Sequence, residues 1–182
     1  MTSRAEIQHA KETSAQVFRD HVWPLWHEHL RGVEIQSVED RPDRLSRLFD
    51  SFGIDGFYIK TATGAPIPVA SRVEFKEIEP RFTLRYRFWD HRRGEESDDC
   101  EFRKKLAALA DPESRRYLPL YTIQSAFVGG SVLHSLLVRT ERLIEYARDN
   151  EALIEKRGFP TIFLHIPVDD LVGAGIAVVI KP

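Results

Sequence analysis

Two successive stretches of this chain alternate apolar and charged residues with a period of two. In 69–77 (VASRVEFKE), Val69, Ser71, Val73 and Phe75 fall on one side and Ala70, Arg72, Glu74 and Lys76 on the other. In 81–88 (RFTLRYRF), Phe82, Leu84, Tyr86 and Phe88 oppose Arg81, Arg85 and Arg87. Successive side chains of a strand point to opposite faces, so each stretch predicts a β-strand with one buried face. A helix would scatter the same residues around its circumference. These two strands commit the centre of the chain to a sheet.

Elements around them follow from periodicity and punctuation. Residues 4–30 predict a leading helix, with Ile7, Ala10, Ser14, Val17, Phe18, His21 and Leu25 at helical spacing and Pro24 kinking or restarting it. Strands are expected over 33–38, 54–60, 118–128 and 161–167, and 176–180 reads as an edge strand or tail. Short helices are expected over 44–50 and 102–110. The segment 91–99 reads as a charged loop and the most mobile segment. Gly129–Gly130 breaks a strand, and Ser131 is expected to cap a long helix over 132–150 with an apolar stripe through Leu133, Leu136, Leu137, Leu143 and Ile144. The fold class expected is mixed α/β: one domain over residues 1–182, with a central mixed sheet flanked by helices.

Composition excludes several classes. One cysteine, Cys100, rules out an internal disulfide and a multi-cysteine zinc site. It lies in an acidic stretch that disfavours the thiolate, so it reads as a bystander. The polar start, Met1 to Lys11, is unlike a signal peptide, and no apolar run nears the roughly 20 residues that span a bilayer, so a cytoplasmic location is expected. Net charge is -2, which counts mildly against a large nucleic-acid footprint. Between Lys76 and Arg93, however, six basic residues face three acids.

Three further features carry little chemistry. His21, His27 and His29 lack the i, i+4 spacing of helical metal ligands. Gly129–Gly130–Ser131 lacks the lysine and spacing of a phosphate-binding P-loop. No nucleophile elbow and no dinucleotide fingerprint occur.

The constellation that can carry chemistry is Asp55, near the start of one strand, with Glu74 and Lys76 in the next. Glu74 and Lys76 share a face about 6.6 Å apart along the strand. The short turn between the strands predicts a hairpin, in which Asp55 can sit opposite them. Two carboxylates and an ammonium in one pocket suit phosphodiester hydrolysis. Carboxylate oxygens hold Mg²⁺ or Mn²⁺, the metal activates water, and lysine orients that water or stabilises developing charge.

In Ile54-Asp55-Gly56 and Val73-Glu74-Phe75-Lys76, set after a leading helix, the chain resembles the PD-(D/E)XK, or restriction-endonuclease-like, nucleases. The resemblance implies a mixed sheet flanked by helices and metal-dependent cleavage of DNA or RNA. It implies Asp55 and Glu74 as metal ligands, Lys76 as the water-positioning base, and Glu12 as a further ligand, with Asp20 the second choice. Arg72, on the face of Glu74 and Lys76, is an alternative holder of the basic position. Arg72, Arg81, Arg85 and Arg87 are the candidate contacts to nucleic acid, since arginines interleaved with aromatics suit phosphates and bases. The rival expectations are a nuclease-fold protein that binds without turnover, and an accessory protein or homodimer using the helix expected at 132–147.

Overall fold

The computed structural model describes residues 13–30, 32–37, 49, 53–60, 62–75, 81–90, 94–97, 100–115, 117–158 and 160–181. The expectations for Glu12, Lys76, the start of the leading helix and most of the 44–50 helix lie outside these residues.

Residues 13–17 are helical and run into a π-helical turn, Phe18–Val22, and then helix α1, Trp23–Leu30. The widening has a local cause. Pro24 has no N–H to give, and its ring crowds the carbonyl one turn earlier. The chain relieves this by lengthening the loop, with the Trp23 N–H bonded to the Phe18 carbonyl.

The remaining elements are β1 (Gly32–Ser37), β2 (Gly56–Lys60), β3 (Pro66–Glu74), β4 (Arg81–Asp90), β5 (Glu95–Ser97), α2 (Glu101–Ala110), α3 (Pro112–Arg115), β6 (Tyr121–Val128), β7 (Ser131–Arg139), α4 (Thr140–Asp149), β8 (Glu155–Arg157), β9 (Thr161–Pro167), α5 (Val168–Gly173) and β10 (Ala177–Ile180). Among the described residues the strands form two sheets. The larger has the order β1-β2-β3-β6-β7-β10 and the smaller β5-β4-β9-β8. The larger is mixed: β3 and β6 are parallel, and its other neighbours are antiparallel. The fold class is thus mixed α/β, as expected. The second sheet was not expected; β4, read as the next strand of a single sheet, instead pairs with β9.

Alternation along β3, β6 and β7 sorts side chains to two cores. Val69, Val73, Ile123 and Leu137 face Val17, Phe18, Val22, Trp23 and Trp26. Trp26 is fully buried and donates its indole N–H to the Ser135 hydroxyl at 2.6 Å, which lies 2.7 Å from the Ser125 hydroxyl. The opposite face supplies Leu136 and Val138 to a core completed by Phe82, Leu84, Tyr86, Phe102, Leu143, Ile144, Leu164 and Ile166. The larger sheet therefore lies between the leading helix and the smaller sheet.

One expectation fails outright. Residues 132–150 are not a single helix: β7 occupies 131–139, and α4 begins at Thr140. Gly129 and Gly130 have φ of 61° and 87°, the positive values that a tight hairpin needs at both central residues. Apolar residues on both sides of a glycine pair are a hairpin signal, and the leucine-rich run that followed masked it. Ser131 therefore opens a strand and caps no helix. Residues 134–138 of β7 are buried on both faces, so its apolar residues do not alternate. The single helix expected as an accessory surface at 132–147 is thus the strand β7, buried over 134–138, followed by the start of α4. Within the expected 91–99 loop, Glu95–Ser97 forms β5, paired with Phe88–Asp90.

Candidate functional site

Asp55 lies just before β2. Gly56 pairs with Val69, so Asp55 is level with Ala70 and Ser71, its own N–H bonded to the Val69 carbonyl at 3.0 Å. Its carboxylate Oδ2 accepts the Ser71 N–H at 2.5 Å. The side chain thereby extends the ladder beyond the point where β2 ends. Glu74 is farther along β3, about 13 Å beyond Ala70 at strand rise. The described residues do not bring Asp55 and Glu74 opposite each other. Among them, no three His, Cys, Asp or Glu side chains are grouped to hold a metal ion.

Asp55 opens onto a cleft of about 1050 Å³ between β3, β4, β6 and α2. Its charged lining is Arg72, Arg85, Arg87, Lys104 and Lys105 against Asp55, Glu101 and Asp111, an excess of cations. The cations divide into two groups. Arg72 and Lys105 are inner. Arg85 and Lys104 are exposed, and half-buried Arg87 lies over the Tyr86 ring, 5.0 Å from its centre.

The inner wall is a hydrogen-bonded bridge between the two sheets. Among the described residues, 81–85 of β4 have no strand partner on the side away from β9. Side chains take that place. Gln124 accepts the Thr83 N–H at 2.9 Å and donates to the Arg81 carbonyl at 3.1 Å. Arg72 donates to the Thr83 carbonyl at 2.8 Å and its hydroxyl at 2.9 Å. Its other nitrogen donates to Glu101 at 2.8 Å, and its guanidinium lies 5.8 Å from the Phe163 ring centre. Glu74 accepts from the Thr83 hydroxyl at 3.2 Å and from Gln124 at 3.1 Å. An unpaired strand edge exposes costly backbone groups, and these side chains satisfy them.

Glu101 anchors the charge balance. Burial pushes its carboxyl up, but Lys105 at 2.9 Å and Arg72, with Arg85 farther off, outweigh this and hold it well below the usual carboxylate range. Glu101 is therefore ionised at neutral pH. Lys105, 4% exposed, is neutralised by it.

A second depression of about 450 Å³ lies beyond this bridge, lined by Glu74, Phe75, Arg81, Phe163 and His165 and sharing Arg72, Thr83 and Arg85 with the first. Burial and then Arg81 push the His165 pKa down, while Glu155 and Glu74 oppose this.

Of the residues singled out from sequence, Asp55, Arg72, Arg85 and Arg87 line the first cleft, and Glu74 and Arg81 only the second. Glu101, Lys104, Lys105, Thr83 and Gln124 were missed as site residues. Glu101 and Lys105 had a readable signal, acid before base at i, i+4 on a helix. Gln124 had a weaker one, an amide inside an otherwise apolar strand that demands partners. No protein-family model matches the chain, and no curated protein or solved structure matches it.

Proposed function

We propose that the protein acts on nucleic acid in the restriction-endonuclease-like manner, holding the phosphodiester backbone in the larger cleft and hydrolysing it at the Asp55 end. One observation carries this: a carboxylate at a strand end opens onto the same cleft as five cationic side chains. Arg85, Arg87 and Lys104 hold phosphates at the rim. Arg72 is occupied with Thr83 and Glu101, so it shapes the wall and adds positive field.

Of the ligand set that the motif implies for Mg²⁺ or Mn²⁺, the described residues supply Asp55 at this place. Glu74 is tied to Thr83 and Gln124 beyond the bridge, and Glu12 and Lys76 are outside the described residues. The described donors alone do not make a complete metal site. A bound ion would polarise the phosphoryl group and acidify a water. What the chain's own groups do is narrower: the Ser71 N–H fixes one Asp55 oxygen, and the rim cations orient and partly neutralise the backbone.

A second reading, binding without turnover, is favoured by the commitment of Arg72, Glu74 and Gln124 to joining the sheets. Asp55→Asn separates the two. Asparagine can still accept the Ser71 N–H but loses the charge. Labelled DNA and RNA oligonucleotides are incubated with Mg²⁺ or Mn²⁺. Metal-dependent cutting that Asp55→Asn abolishes, with binding retained, supports hydrolysis. Retained binding with no cutting by the wild type supports the second reading. If neither is seen, and Arg85→Gln/Arg87→Gln/Lys104→Gln changes nothing, both fail.

A further inference from the structure

The second depression holds residues that the bridge does not use. Phe75 is 48% exposed and is braced from one side by Phe127, ring centres 6.3 Å apart. Arg81 and His165 are diagonal neighbours across the β4–β9 pair, where Arg81 faces Pro167 and Thr83 faces His165. Both line the depression. Arg81 Nε and His165 Nδ1 are buried atoms without a hydrogen-bond partner among the described residues. Both atoms are closed off from solvent, so what Arg81 and His165 offer the hollow is charge and polarity rather than these two nitrogens. Exposed Arg85 adds positive charge at the rim.

This combination is asymmetric, apolar and flat at Phe75, and cationic and polar at Arg81 and His165. The hollow has the size of a small-ligand site. We propose that it is a subsite for one unpaired nucleotide, its base stacked on Phe75 and its phosphate held by the guanidinium groups of Arg81 and Arg85. Glu74, whose Oε1 is held by Thr83 and Gln124, adds an acceptor for a sugar hydroxyl or an exocyclic amine. A base inside a duplex has both faces covered by its neighbours and cannot stack on an isolated ring. The subsite therefore selects single-stranded or frayed nucleic acid. It deepens the nucleic-acid reading above and rests on it, but not on hydrolysis.

The test titrates the full chain with adenosine 5′-monophosphate, adenosine and inorganic phosphate by calorimetry, alongside a single-stranded oligonucleotide. Phe75→Leu and Arg81→Gln are compared, with thermal melts confirming that each folds. The monophosphate is expected to bind more tightly than either of its halves. Phe75→Leu should weaken the monophosphate roughly tenfold, the scale of one lost base–aromatic stack, and leave inorganic phosphate unchanged. Arg81→Gln should weaken both. The inference is overturned if inorganic phosphate binds as well as the monophosphate, if Phe75→Leu has no effect, or if nothing binds the hollow. Oligonucleotide binding that survives such a result leaves the nucleic-acid reading standing; its loss as well removes both.

Discussion

The Gln124 side chain pairs with Thr83 as a strand would, its Oε1 accepting the Thr83 N–H at 2.9 Å while its Nε2 donates to the carbonyl of Arg81, two residues away. An amide side chain thereby replaces one peptide unit of a missing neighbour. Because Gln124 projects from β6 of the larger sheet, the two sheets meet through hydrogen bonds as well as apolar packing.

Replacing that amide should be expensive. Gln124→Leu keeps approximate volume but strands a buried N–H and a carbonyl. At about 1–3 kcal/mol for each unsatisfied group, a loss of roughly 2–6 kcal/mol is expected. Urea denaturation measures it. A loss under about 0.5 kcal/mol would mean that the bridge contributes nothing net.

Glu101 should make the protein acid-sensitive. Its folded pKa lies below the ordinary value of 4.5. The stabilisation is complete above 4.5 and is lost as pH falls below 4.5 toward the folded value. Glu101→Gln leaves Lys105 and Arg72 uncompensated and should cost about 3–5 kcal/mol at neutral pH. The difference in stability between wild type and variant, followed by denaturation, should shrink as pH drops below 4.5. A difference independent of pH refutes the assignment.

Buried His134 and half-buried His165 act in a different window. Burial, then Lys181, push His134 below 6.5, with Glu74 opposing; His165 is lowered mainly by burial and then Arg81. The unfolded chain takes up protons near 6.5 that the folded chain refuses. Stability should therefore fall as pH drops through 6.5 toward the depressed folded values, and level off below them. Titration of the ring proton shifts by NMR should place both midpoints below 6.5. A midpoint at or above 6.5 for His165, with no ligand added, contradicts the arrangement around Arg81.

Much of this architecture was legible where one signal dominated. The alternation in β3 and β4 marked Val69, Val73, Phe82 and Leu84 as buried, as they are, but not that they fall in two different cores on two sheets. Pro24 announced the disturbance in the leading helix. The segment after Gly130 misled for a physical reason. A strand buried on both faces loses its alternation, and Leu133, Leu136 and Leu137 then fit helical spacing equally well.

The site was less legible because its partners come from distant parts of the chain. Arg72 finds Thr83, Glu101 and Phe163, and no spacing rule links those positions. Asp55 was picked out for its neighbourhood with Glu74, whereas the hairpin register sets it beside Ser71. Register depends on the turn at 62–65 and on which strands lie beyond. Charged residues on a strand face name themselves, but not their depth along it.

The parallel pairing of β3 with β6 sets a timetable for assembly. The β2–β3 hairpin can close as soon as it leaves the ribosome, but the far side of β3 has nothing to bind until Tyr121–Val128 has been synthesised. The edge of β4 waits for the same segment, since Gln124 arrives on it. One late strand thus seals two sticky borders together, and a chain stalled before it would present both to its neighbours, a natural target for chaperones or for aggregation.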